Sequence, residues 1–235
     1  GLCVGQRWIG NPNRNMEPWR DTGIEIEGPA LAEIEHAFAD TWALTGAPLP
    51  SREFRFTKSI PDAGDVDLRI VASIPNVGAI YRLDQVIATL ARQSIWLSDA
   101  YFIGTASYVQ ALRAAARSGV DIRLLIPGAN DVPVMRALAR AGLRPFLEAG
   151  IRGFEWSGSM MHAKTAVTDG KWARIGSTNL NVTSWLGNWE LDVIVDNEGF
   201  AQRMEQMYLD DLSHSTEIVL EKRRRRPVAL SNQFK

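Results

Sequence analysis

The 235-residue sequence has one cysteine, three histidines and almost no net charge, with 26 basic residues against 27 acidic ones. The single cysteine, Cys3, excludes an intrachain disulfide and a cysteine-rich metal cluster, which fits a reducing compartment. A balance of −1 gives the whole molecule no pull towards nucleic acid or an anionic membrane. No apolar run approaches the roughly 20 residues that span a bilayer. Residues 1–10 carry no basic segment followed by an apolar one, so no signal peptide is expected. If a membrane matters here, the chain meets its surface, and the expected location is cytoplasmic, peripheral on the inner face of the cell membrane. What remains, 46% apolar and 23% charged, is an ordinary globular composition with room for a sizeable core.

The periodicities predict an α/β chain. Residues 23–27 alternate apolar and charged side chains, and Gly28-Pro29 leads into Leu31, Ile34, Phe38 and Trp42 at helical spacing. A proline-rich stretch over 48–64 breaks the pattern and reads as a linker. Strands then alternate with helices: strand 68–72, helix 80–92, strand 95–102, helix 106–117, strand 120–126 and helix 132–149. Strands separated by helices of this length point to crossover units. A strand over 152–156, a hairpin of 161–168 against 172–176 turning at Asp169-Gly170, a strand over 190–195 and a closing helix over 199–212 complete the order.

One window stands apart. His162, Lys164, Asp169, Gly176, Ser177 and Asn179 form the pattern H-x-K-x4-D-x6-G-S-x-N, and it occurs once. Side chains two apart on a strand share a face, so His162 and Lys164 project together. A two-residue turn at Asp169-Gly170 would set His162 across from Ser177 and Lys164 across from Ile175, with Asn179 one step on. An imidazole, an ammonium, a hydroxyl and a carboxamide at one hairpin end suit a phosphodiester. His162 is the expected nucleophile or general acid, while Lys164, Ser177 and Asn179 would hold the non-bridging oxygens. The imidazole attacks through one nitrogen only if the other is held as a donor. Glu190 is the expected carboxylate for that role. Asp169, at the far end of the hairpin, and Gly176 are read as structural, and nothing in the set requires a metal or a cofactor.

The opening of the chain echoes its end. Trp19-Arg20-Asp21 before an extended segment and a helix resembles Trp189-Glu190 before another such pair, placing Asp21 opposite Glu190. Phe38-Ala39-Asp40 falls opposite Tyr208-Leu209-Asp210 with a one-residue offset. Two repeats are the expectation. Residues 1–50 would be the tail of a first repeat, 51–65 a linker, 66–215 a complete second repeat with the motif, and 216–235 a basic tail.

The motif resembles the HKD motif of the phospholipase D superfamily, and the surrounding sequence resembles its cardiolipin synthase-like branch. The likeness includes Trp19-Arg20-Asp21-Thr22, Glu27-Gly28-Pro29, Tyr101-Phe102, the run 119–128, Ala149-Gly150-Ile151, Asn188 and Glu190. It implies a mixed sheet flanked by helices, one motif per repeat and a covalent phosphohistidine formed without metal. One histidine attacks and the other protonates the leaving alcohol, then activates water or a lipid hydroxyl. The substrate it implies is a phospholipid such as phosphatidylglycerol. Gly1 matches the position of Ser177 and Cys3 that of Asn179, so a first His and Lys would lie before Gly1. The partner it requires is therefore a missing N-terminal half, or a second copy of the chain. A single-motif, nuclease-like homodimer acting on nucleic acid, or an inactive lipid-binding fragment, are the alternatives.

Other conspicuous residues have plainer readings. His36 and His214 sit beside acidic residues in amphipathic helices and read as surface histidines. Lys222-Arg223-Arg224-Arg225-Arg226 would either attract an anionic lipid surface or be a solvated end. Trp172, Trp185 and Trp189 flank the motif and read first as core. Tyr101-Phe102 either lines the pocket or ends a buried strand. Asn181-Val182-Thr183 has an acceptor pattern for glycosylation that the absence of a secretion signal discounts.

Overall fold

Residues 121–127 show how the core is organised. Ile122, Leu124 and Ile126 pack on one side and Leu125 on the other, all buried. A strand apolar on both faces belongs between two helical layers. The computed structural model describes residue 3 and residues 5–53 and 60–220. It contains α1 (Gln6–Ile9), α2 (Leu31–Thr45), β1 (Asp67–Ser73), α3 (Ala79–Leu90), β2 (Ser94–Ser98), α4 (Ala106–Arg117), β3 (Asp121–Pro127) and α5 (Pro133–Leu147). After these come β4 (Arg152–Trp156), β5 (Thr165–Thr168), β6 (Trp172–Gly176), α6 (Val182–Leu186), β7 (Glu190–Asp196), α7 (Glu198–Ser213) and β8 (Ser215–Ile218).

The strands form one mixed sheet in the order β1-β7-β6-β5-β2-β3-β4-β8. β2, β3 and β4 run parallel, joined by the crossover helices α4 and α5, and the other pairings are antiparallel. Helices α3, α4 and α5 cover one face through Ile80, Tyr108, Leu112, Leu143 and Phe146. The closing helix α7 covers the other, setting Tyr208 against Leu125 and Phe154, and Ala201 and Met204 against Val167, Ala173 and Ile175. The mixed α/β sheet flanked by helices is therefore as the sequence predicts. Within it, Arg174 of β6 is buried between Asp84 of α3, at 3.6 Å, and Asp192 of β7, at 3.2 Å. Removing either kind of charge would leave the other uncompensated in a low dielectric, so the trio locks β6, β7 and α3 together.

Several local expectations change. Residues 23–27 enter no ladder among the described residues, because β1, across the groove from them, pairs only with β7. Ile24 instead packs against the α7 side of the core. The expected strand over 161–168 is regular only from Thr165, and Met161 makes an isolated parallel bridge to Arg20. An additional strand, β8, follows α7 directly and pairs antiparallel with β4. Part of the expected linker, residues 54–59, and the basic run Lys222 to Arg226 lie outside the described residues.

Candidate active site

The motif folds around backbone pairing between two distant segments. Arg20 N donates to Met160 O at 2.9 Å, and His162 N donates to Arg20 O at 2.7 Å. This short parallel contact puts Asp21 beside His162. The Arg20 guanidinium fixes it: Nε and Nη2 hold the two Asp211 oxygens of α7 at 2.7 and 2.8 Å, and Nη1 donates to Asp21 O and, at 3.0 Å, to Thr22 Oγ1. A bidentate clamp of this kind fixes orientation as well as distance. Met161 and Ala163 point into the core, so His162 and Lys164, alternating with them, face the other way.

Asp21 Oδ2 lies 2.9 Å from His162 Nδ1, with the aspartate side chain 8% exposed and the histidine 16%. Burial works to raise the Asp21 carboxyl, but the His162 hydrogen bond, the Thr22 N–H and nearby charge outweigh it and hold it below the usual carboxylate range. An ionised Asp21 accepts, so Nδ1 carries a proton, and in the neutral imidazole the lone pair then lies on Nε2. Here the structure corrects the sequence, which assigned this role to Glu190. Glu190 instead accepts from Ser177 Oγ at 2.5 Å and from Asn188 Nδ2 at 3.0 Å. The signal for Asp21 was available in its position opposite Glu190 across the internal likeness.

The hairpin register also differs. Thr165 pairs with Ile175 and Thr168 with Trp172, leaving the three-residue loop Asp169, Gly170 and Lys171. Lys171 is the additional residue: its N–H donates back to Thr168 O at 3.1 Å, and its carbonyl accepts from Asn197 N at 3.1 Å. The slip sets Lys164, not His162, beside the Gly176–Ser177 end: Gly176 N donates to Lys164 O at 3.2 Å. A Cβ on Gly176 would collide with the Asp192 carboxylate, so the motif glycine serves the buried charge trio. Asp169, at the opposite end of β5 from the cluster, accepts from the backbone N–H groups of Arg92, Gln93 and Ser94 at 2.9, 2.7 and 2.9 Å. Partial burial would raise its carboxyl, and these three donors instead lower it.

Lys164 is buried, and its ammonium donates to His162 O. Burial lowers its pKa, opposed by the negative charges of Asp99, Asp21 and Glu190. Asp99, buried at the end of β2, escaped the sequence reading. It accepts from Tyr101 N at 2.9 Å and Leu180 N at 2.6 Å, tying the loop after the motif to β2. Burial pushes its carboxyl up to about 6 against the pull of those donors and of Lys164. In that loop Asn179 Nδ2 reaches Ser184 Oγ at 3.4 Å, while its Oδ1 is buried with no hydrogen-bond partner among the described residues.

Aromatic rings wall the histidine. Trp19, Tyr101 and Trp8 lie 5.6, 6.0 and 6.4 Å from the His162 ring, centroid to centroid. Trp8 and Trp19 come from the opening of the chain, where no local pattern marks them for the site, and Tyr101 joins them while its neighbour Phe102 is core. Of the tryptophans flanking the motif, Trp185 is core and Trp172 packs against it, but Trp189 is exposed. Cys3 closes another side: its Sγ, an Asp21 oxygen and a His162 ring nitrogen lie within 4.8 Å of one another. His36 and His214 are exposed and do not join the cluster.

The family model described as cardiolipin synthase, PLD-like domain, matches residues 86–212. The chain is 29% identical over 230 residues to cardiolipin synthase of Geobacillus kaustophilus (strain HTA426), covering 97% of this chain and 46% of that protein. It is 31% identical over 225 residues to cardiolipin synthase A of Pseudomonas putida (strain F1), covering 94% and 46%. The chain thus spans about half the length of the curated relatives it matches. Among solved structures it is similar to Nuc from Salmonella typhimurium, a phospholipase D family member, with a TM-score of 0.59 and 20% identity over 66% of this chain and 100% of that one. It is also similar to phosphatidylserine synthase of Haemophilus influenzae Rd KW20, with a TM-score of 0.57 and 13% identity over 70% of this chain and 44% of that one. These two likenesses concern the fold. The family model spans more than half of the sequence and takes in the whole motif, and the chain belongs to that family, the cardiolipin synthase, PLD-like domain branch of the phospholipase D superfamily.

Proposed function

We propose that the chain supplies one half of a two-histidine site that transfers a phosphatidyl group between alcohols. The observation that carries the reading is the Asp21–His162 contact at 2.9 Å, which leaves Nε2 free to attack. Nε2 forms a bond to phosphorus as the bond to the leaving alcohol breaks, and a second histidine gives that alcohol its proton. The second histidine then takes the proton of the incoming hydroxyl, whose oxygen displaces the imidazole. Lys164 supplies positive charge to the non-bridging oxygens, and the buried, unpartnered Asn179 Oδ1 marks Asn179 as a polar group in need of a partner such as a substrate hydroxyl. Ser177 holds Glu190 rather than standing free.

The sequences similar to this chain along most of its length are named cardiolipin synthase, which favours phosphatidylglycerol as donor and acceptor. The second histidine comes from another half of the same polypeptide or from a second copy. No helix of the described residues is long and apolar enough to cross a membrane. A peripheral position on the inner face of the cell membrane, helped by Lys222 to Arg226, fits that reading. Phosphatidylglycerol vesicles, offered to the chain as it assembles and to the chain joined to a second motif-bearing half, should yield cardiolipin and glycerol. His162→Ala should remove both products, and turnover surviving that change sinks the reading. The presence of a single motif favours one other reading, a homodimeric phosphodiesterase, for which cleavage of DNA without conversion of phosphatidylglycerol would decide.

A further inference from the structure

We propose that Cys3, Asp21 and His162 form a binding site for one soft divalent cation of the Zn2+ type, and that the bound ion switches the histidine off. The three donors come from segments far apart in sequence yet converge, with one ligand atom of each within 4.8 Å of the other two. Zinc takes sulfur at about 2.3 Å and nitrogen or oxygen at about 2.0–2.2 Å, so its ligands stand some 3–4 Å apart. The Asp21–His162 pair already stands at 2.9 Å. The ion would replace the shared Nδ1 proton with little movement, and exposed Cys3 would swing in to close the third side. A thiolate, an imidazole and a carboxylate are ligands zinc accepts together, with a fourth position left for water.

Charge balance supports it. The thiolate and the carboxylate would neutralise a doubly charged ion, which offsets the repulsion from Lys164, whose ammonium donates to His162 O. The proton accounting gives the consequence. Cys3 releases its thiol proton to solvent, and the imidazole proton leaves Nδ1, where the metal binds, for Nε2. An Nε2 that carries a proton has no lone pair with which to attack phosphorus. This inhibitory consequence rests on the phosphohistidine reading, whereas the binding itself does not.

The test separates the two. Equilibrium dialysis of the chain with ZnCl2 should show one ion per chain, and Co2+ in its place should give a thiolate-to-cobalt charge-transfer band. Cys3→Ser, an exposed position whose change leaves the core intact, should abolish the band and weaken zinc binding on the order of a hundredfold, at least what loss of an outer-shell partner costs. Asp21→Asn should weaken binding while keeping the sulfur band. No zinc uptake by the wild type, or equal uptake by Cys3→Ser, overturns the site. Zinc binding that needs Cys3 but leaves phosphatidyl transfer undiminished would keep the site and refute the switch.

Discussion

Asp21 Oδ2 and His162 Nδ1 are 2.9 Å apart in space and 141 residues apart in sequence. The aspartate belongs to an irregular segment ahead of the sheet and the histidine to the entry of β5. Their meeting depends on the Arg20 clamp to Asp211 on the far helix.

Asp21→Asn should therefore be far more damaging than its small change in shape suggests. An amide can donate to Nδ1 and reverse the tautomer, so Nε2 would carry the proton. Phosphatidyl transfer should fall roughly 10²- to 10⁴-fold while the fold is retained, by analogy with an orienting aspartate of a catalytic triad. Rapid-quench measurement of phosphohistidine at His162, with circular dichroism as the control, checks this.

Glu190→Gln should behave differently. Glu190 accepts from Ser177 and Asn188, and on the proposed two-histidine site its place opposite Asp21 in the internal likeness would give it to the second histidine. A substrate with an activated leaving group needs no proton from that histidine. It should form the His162 intermediate in Glu190→Gln at a rate within about threefold of the wild type, but not in Asp21→Asn. Equal rescue of both variants would contradict the assignment.

Arg20→Met removes the clamp and leaves Asp211, 9% exposed, without its counter-charge. Between a surface pair and a fully buried one, the expected loss is about 1–3 kcal/mol. Urea unfolding followed by tryptophan fluorescence measures it, and a loss of transfer activity below the unfolding midpoint would report the displaced Asp21.

Asp169 gives a pH signature. Its carboxyl is lowered in the folded chain, so the stability it contributes is present above its unfolded value of about 4 and fades as pH falls through the folded one. Asp169→Asn should be less stable than the wild type at pH 7, and the two should converge below about pH 4. A difference in melting temperature that is independent of pH between 3 and 7 would rule this out.

The alternation of apolar runs with turn residues announced the α/β order, because a strand buried on both faces must be apolar throughout. Residues 161–176 likewise read as a hairpin, since Asp169 and Gly170 tolerate the left-handed conformation that the turn uses. The details that failed were those a local window cannot hold. The hairpin slipped by one residue because Lys171 closes the turn, its N–H donating back to Thr168 O of β5 while its carbonyl accepts from Asn197 N. β8 went unseen because its four residues become a strand only beside β4.

By itself the sequence determined which polar groups gather beside the histidine. An imidazole and an ammonium two residues apart in an extended segment share a face, and the glycine, serine and asparagine after the turn return to that end. Only the tertiary structure decided which carboxylate governs the histidine. Burial and hydrogen bonding at a distance make that choice, and Asp21 is delivered by a guanidinium anchored on α7, whereas Glu190 is already engaged by Ser177.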